Sequence, residues 1–162
     1  MAINQNQKSQ RGISIIEILI VVAIISIALT SLLGVATFTL KISTLLKETN
    51  QANNLAQEAM EAVRNFRDGT DWNTNGLGTL ISGIPYYPQK SIDTQAKWQL
   101  IQGEEIINNF TRKVIFSTIM RDTNDNIIEA GGTVDPNTKK VTATVSWKEK
   151  KVEIITYLTN WK

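Results

Sequence analysis

Gly12-Ile13-Ser14-Ile15-Ile16-Glu17 runs straight into an uncharged stretch from Ile18 to Leu40. This junction decides the reading of the chain. It sets one carboxylate at the head of 23 residues that carry no charge. As a helix that stretch measures about 35 Å, against a bilayer hydrocarbon core of about 30 Å. An acid at the edge of such a segment is costly, and by default it marks function.

The residues before the junction are polar, with Lys8 and Arg11 and no acid. A polar basic leader, a glycine, an apolar residue, Ser14, two apolar residues, Glu17 and then the apolar run together resemble the N-terminus of the type IV prepilin family. That family includes the pilins and the pseudopilins of type II secretion. The resemblance implies that a membrane peptidase cuts between Gly12 and Ile13 and methylates the new amine of Ile13. It implies that Glu17, fifth in the mature chain, pairs with the N-terminus of a neighbouring subunit. Ile13 stands where the family most often has Phe. Gly34 lies where many major pilins carry a helix-bending proline, so local softness is expected there but no proline kink.

Other readings of the segment predict different chemistry. A secretory signal peptide has an apolar core of about 7–15 residues and a small-x-small cleavage site. Gly34-Val35-Ala36 offers such a site, but the run is too long and Glu17 heads it. A plain signal anchor lets Glu17 snorkel to the headgroups. A lipoprotein anchor is excluded, because the chain has no cysteine.

Composition narrows the function further. Of 17 basic and 15 acidic side chains, Lys8 and Arg11 lie in the leader, so 15 of each remain beyond Gly12. A balanced chain lacks the basic footprint of a nucleic-acid binder, and nucleic acid is not expected as a partner. The leader charges place the N-terminus on the cytoplasmic side by the positive-inside rule. With no histidine, the commonest general base and metal ligand is missing. No enzyme, catalytic residue, cofactor or metal site is expected.

Beyond Leu40 the helical pattern continues as an amphipathic face. Ile42, Leu45, Thr49, Ala52, Ala56, Ala59, Val63 and Phe66 recur at steps of three and four, and Leu46, Leu55 and Met60 widen the stripe. No proline interrupts Ile13 to Asp68. The spacing predicts one helix of roughly 55 residues and about 80 Å, ending near Gly69 after Arg64 and Arg67. Asp68 to Lys90, with four glycines and two prolines, reads as a connecting loop whose Tyr86 and Tyr87 pack back on the helix or sheet. Period-2 alternation then predicts strands at Lys97–Gln102, Thr111–Met120, Val141–Trp147 and Lys151–Leu158, the last two a hairpin. In the second of these, Val114, Phe116 and Thr118 share a face. Trp161 is expected to tuck against the domain.

The fold class is therefore α+β: a long N-terminal helix, membrane-spanning in its first half and amphipathic in its second, packed on a C-terminal antiparallel sheet. The implied divisions are a cleaved leader at 1–12, a transmembrane or filament-core helix at 13–40, its amphipathic continuation at 41–68, and a loop-and-sheet domain at 69–162. Remaining motifs read as ordinary surface. Asp122-Thr-Asn-Asp-Asn126 has alternating oxygen ligands but lacks the glycine and the bidentate glutamate of a calcium loop, so it reads as a turn. Lys139, Lys140, Lys148, Lys150 and Lys151 blunt an edge strand. Glu104 and Glu105 read as solvated, and Asn109-Phe110-Thr111 matches a glycosylation acceptor.

The implied function is a structural subunit of a type IV pilus or pseudopilus, with a leaning toward a minor subunit. Its partners are prepilin peptidase, other pilin or pseudopilin subunits, inner-membrane assembly machinery and, before assembly, membrane lipid. It is expected first as a single-pass protein of the cytoplasmic membrane, then in a filament on the periplasmic or extracellular side. The alternative is a signal-anchored extracellular binding module that never polymerises. A tip subunit that binds DNA or a surface through the hairpin lysines is a third reading.

Overall fold

The structure, a computed structural model, describes residue 12, residues 14–91 and residues 97–161. The leader charges Lys8 and Arg11, and Ile13, lie outside the described residues. The chain divides into two compact units, one ending at Leu46 and the other beginning at Lys47. A single helix, α1 (Ile15–Gly69), contributes to both.

In the first unit α1 is apolar on every side. It is long and apolar enough to cross a membrane, and none of its most apolar stretch is buried within the chain. A helix hydrophobic all round needs its partner from outside, in lipid or other protein. Gly34 leaves α1 unbroken, and a Cβ placed there would touch nothing within 4 Å.

In the second unit, α1 from Lys47 onward is amphipathic and packs on the sheet. Its contact residues are small: Ala52, Ala56, Ala59, Ala62 and Val63 are all fully buried. Alanines at these steps let the helix backbone approach the strands closely at little cost in side-chain entropy. Ala62 lies beside the stripe read from the sequence, so the packed face is wider than that stripe.

The sheet is antiparallel, built from β1 (Pro85–Lys90), β2 (Trp98–Gln102), β3 (Glu105–Ile107), β4 (Phe110–Arg121), β5 (Ile127–Ile128), β6 (Thr133–Trp147) and β7 (Lys150–Thr159). The order is β2-β1-β4-β6-β7, with β3 and β5 also paired to β4. Phe116, Val114, Val141 and Ala143 meet Ala59, Met60 and Val63 in the main core. Phe110, Val145 and Trp147 meet Ala52 and Ala56 in a second cluster.

Besides β3, β5 and residues 133–140 of β6, which the alternation did not predict, three details depart from the sequence reading. First, the connecting segment ends in a strand, β1, whose two prolines hide it. Pro88 pairs only with Leu100 of β2, and its missing N–H falls on the β4 side, where pairing to β4 has already ended at Tyr86. Tyr86 is buried as expected, edge-on to Phe116 at 5.7 Å, and its hydroxyl accepts from the Ile81 amide at 3.2 Å.

Second, the alternation of β4 breaks. Thr118 pairs with Lys139 but Ile119 pairs with Asp135, leaving Pro136, Asn137 and Thr138 of β6 out of register with β4. A bulge shifts which side chains face the core. Ile119 is buried and Thr118 exposed, the reverse of the expectation for Thr118. The freed Pro136 carbonyl accepts from the Trp72 indole at 3.1 Å. Third, Trp161 is 63% exposed rather than tucked in, although its indole lies 3.4 Å from Asp68 Oδ1.

Candidate functional site

The site begins where α1 begins. The Ser14 carbonyl accepts from the amides of Glu17 at 3.0 Å and Ile18 at 3.3 Å, so Ser14 is the residue from which the helix starts. Gly12 is exposed and precedes the helix. Glu17 thus sits in the first turn, where the positive end of the helix dipole favours a carboxylate. Among the described residues its side chain forms no hydrogen bond or ion pair.

The hydroxyls downstream behave differently. Ser26, Thr30, Ser31, Thr37 and Thr39 each donate to a carbonyl three or four residues earlier, at 2.7–3.0 Å. Every polar side chain between Ile18 and Leu40 is therefore satisfied inside its own helix. That makes the segment compatible with a medium that offers no hydrogen bonds. Glu17 is the exception at its head.

The other candidates resolve into structure. Asp122 Oδ1 accepts from the amides of Asn124 and Asn126 at 2.9 and 2.8 Å, and Oδ2 accepts from the Asn126 side chain at 3.0 Å. The Asn126 side chain first, and then these amides, hold its carboxyl below the usual range against a small desolvation effect. Both oxygens are spent closing a turn, in keeping with the turn reading. Beside it, Arg121 bonds Asp135 at 2.7 Å. This bond keeps the guanidinium charged and is the main cause that lowers the Asp135 carboxyl. Among the described residues no group of three or more acids is placed to hold a metal.

Glu104 and Glu105 are bound, not simply solvated. Glu104 bonds Lys113 at 2.7 Å. Glu105 receives the Arg112 Nε at 3.0 Å. Arg112, 3% exposed, also meets Glu58 of α1 at 3.3 Å. It shares the inward parity of Val114 and Phe116, so period-2 reading carried the signal that a cation lies under the helix. Lys139 is likewise buried at 7% exposure, its Nζ 3.4 Å from Ser82 Oγ, and does not blunt an edge. Asn109 lies in the two-residue turn between β3 and β4, exposed, with Phe110 buried beside it.

One contact escaped sequence reading. Glu48 accepts from the Trp147 indole at 3.1 Å and from Lys148 Nζ at 2.7 Å. Lys148 opens the two-residue turn between β6 and β7, with a φ of 53°. The partners stand about a hundred positions apart in the chain, too far for any local pattern to announce them.

Comparison with known proteins bears on the N-terminal segment. Residues 7–33 match the family described as the prokaryotic N-terminal methylation motif, the signature of type IV prepilins and pseudopilins. The chain thus carries the N-terminal motif of prepilin-type proteins, which a dedicated peptidase processes, and that motif family is structural rather than enzymatic. No curated protein and no solved structure matches the chain.

Proposed function

We propose that this chain is a structural subunit of a type IV pilus or a related pseudopilus. Prepilin peptidase removes residues 1–12 by cutting between Gly12 and Ile13, and the amine of Ile13 is methylated. The N-terminus faces the cytoplasm, residues 13–40 hold the subunit in the inner membrane, and the domain formed by 41–68 and 69–162 lies on the periplasmic or extracellular side. Assembly machinery then moves the subunit into the filament, where the apolar helix becomes part of the core.

The observation that carries this reading is the contrast between Glu17 and the hydroxyls that follow it. Those hydroxyls are self-satisfied, whereas Glu17 has no partner within the described residues. A lone carboxylate within a bilayer costs on the order of 3 kcal/mol. A neighbour's N-terminal ammonium removes much of that cost, because a paired buried charge is far less unfavourable than a lone one. The difference favours docking and sets its register.

The intact mass of the protein recovered from its own membrane tests the reading. A mass matching residues 13–162 plus one methyl group is expected. The full-length mass overturns the proposal and leaves a signal-anchored binding module, in which Glu17 has no role in assembly.

A further inference from the structure

A second reactive element lies in the turn after α1. Asp71 Oδ1 accepts from the amides of Asn73 and Thr74 at 3.0 and 3.1 Å. The Asn75 amide donates to the Asp71 carbonyl at 3.2 Å, and the Asp71 amide donates to Asn75 Oδ1 at 2.9 Å. The next residue is forced to be glycine. A Cβ on Gly76 would lie 2.5 Å from the Asp71 carbonyl oxygen and 2.9 Å from Thr70 Oγ1. The turn therefore holds an exposed asparagine ahead of a glycine that is buried but has no side chain of its own to block its backbone nitrogen.

We propose that Asn75 is a self-modification site, converted to aspartate and isoaspartate through a cyclic imide with Gly76. The Gly76 nitrogen attacks Asn75 Cγ. A bond forms between them, the nitrogen gives its proton to solvent, and the Cγ–Nδ2 bond breaks with Nδ2 leaving as ammonia. Water then adds to one of the two imide carbonyls and opens the ring. No oxidant, metal or cofactor enters. Negative charge gathers on Oδ1 as the ring closes, and the Asp71 amide already points at that oxygen. A fixed donor aimed at developing charge is a recognised source of rate.

The consequence reaches the core. Opening to isoaspartate routes the backbone through the side chain and inserts one extra carbon between positions 75 and 76. Leu77, fully buried, follows immediately, and Trp72, also buried, precedes the clasp. The isoaspartyl form loosens the seat of both, whereas ordinary aspartate keeps an oxygen for the Asp71 amide.

The test is peptide mapping of the full chain, folded in detergent micelles and held at mildly alkaline pH in heavy-oxygen water. Solvent oxygen is expected at position 75 ahead of every other asparagine, with isoaspartate the larger product and a rate at least equal to that of the urea-unfolded chain. A folded chain that stays unconverted while the unfolded chain reacts overturns the proposal, because the clasp then protects the amide. Asn75→Asp supplies the second measurement. It should melt like the parent, and the isolated isoaspartyl form should melt lower. Equal melting of all three overturns the stated consequence for the core.

Discussion

The two halves of α1 solve opposite problems. From Ile15 to Leu40 the large apolar side chains are exposed, and every hydroxyl beyond Glu17 turns back to its own backbone. From Ala52 to Val63 the buried positions are mostly alanines against a sheet that the same chain supplies. The first half is finished only by lipid or other protein; the second is finished by residues up to a hundred positions away. One regular helix thus serves two solvents, and side-chain size and polarity alone separate the roles.

The sharpest way to break this contrast is Glu17→Ala. If the first half is designed for outside partners, the variant is processed and inserted normally, yet its incorporation into filaments falls to nothing. Unfolding of the second unit should be unchanged. Normal incorporation, read by immunoblot of sheared filaments against whole membranes, would sink the pairing mechanism.

Phe116→Ala is the converse. Phe116 is fully buried between α1 and Tyr86, and truncating such a ring costs about 3–5 kcal/mol. Denaturant titration followed by tryptophan fluorescence should show that loss, while membrane insertion stays at the parent level. Loss of insertion as well would show that the two halves are not independent.

How much of this was visible beforehand follows the same division. The first half was legible because its meaning is local: an acid, a glycine, and an uninterrupted apolar run. The long helix was legible because no proline breaks it, and β4, β7 and the Val141–Trp147 half of β6 because they alternate. The bulge at Thr118 was not, since nothing in Ser117-Thr118-Ile119 records that three residues of β6 would fall out of register opposite it. Strand β1 was hidden by prolines that only a one-sided pairing tolerates. Lys139 read as an edge lysine, because composition does not show which charges the fold will cover.

Ala56→Leu probes the close approach in the second half. Ala56 is fully buried against the cluster of Phe110, Val145 and Trp147, and adding methylenes to a filled site costs about 1–3 kcal/mol. The same change at Ala28, exposed in the first half, should leave the stability of the second unit untouched. Equal effects at the two positions would remove the distinction between the halves.

The smallest effect is expected at Glu48, near the start of the second unit. Its carboxyl is held below the usual glutamate range, chiefly by the hydrogen bond from Lys148, with desolvation opposing and the Trp147 indole adding to the shift. A carboxylate whose folded pKa is depressed stabilises the fold fully above its unfolded pKa. That contribution fades as pH falls through the folded pKa. Glu48→Gln keeps an acceptor for the indole and loses the charge facing Lys148. The stability gap between parent and variant should therefore be constant at neutral pH, shrink on acidification below the ordinary glutamate pKa, and shrink with salt because the pair is at the surface. Lys148→Gly adds a contrast. It removes the same ion pair but relieves the left-handed backbone at φ 53°, which only glycine adopts without penalty. The glycine variant should accordingly lose less stability than Lys148→Ala at neutral pH. If the two lose the same amount, the turn is unstrained and loss of the ion pair accounts for the whole change.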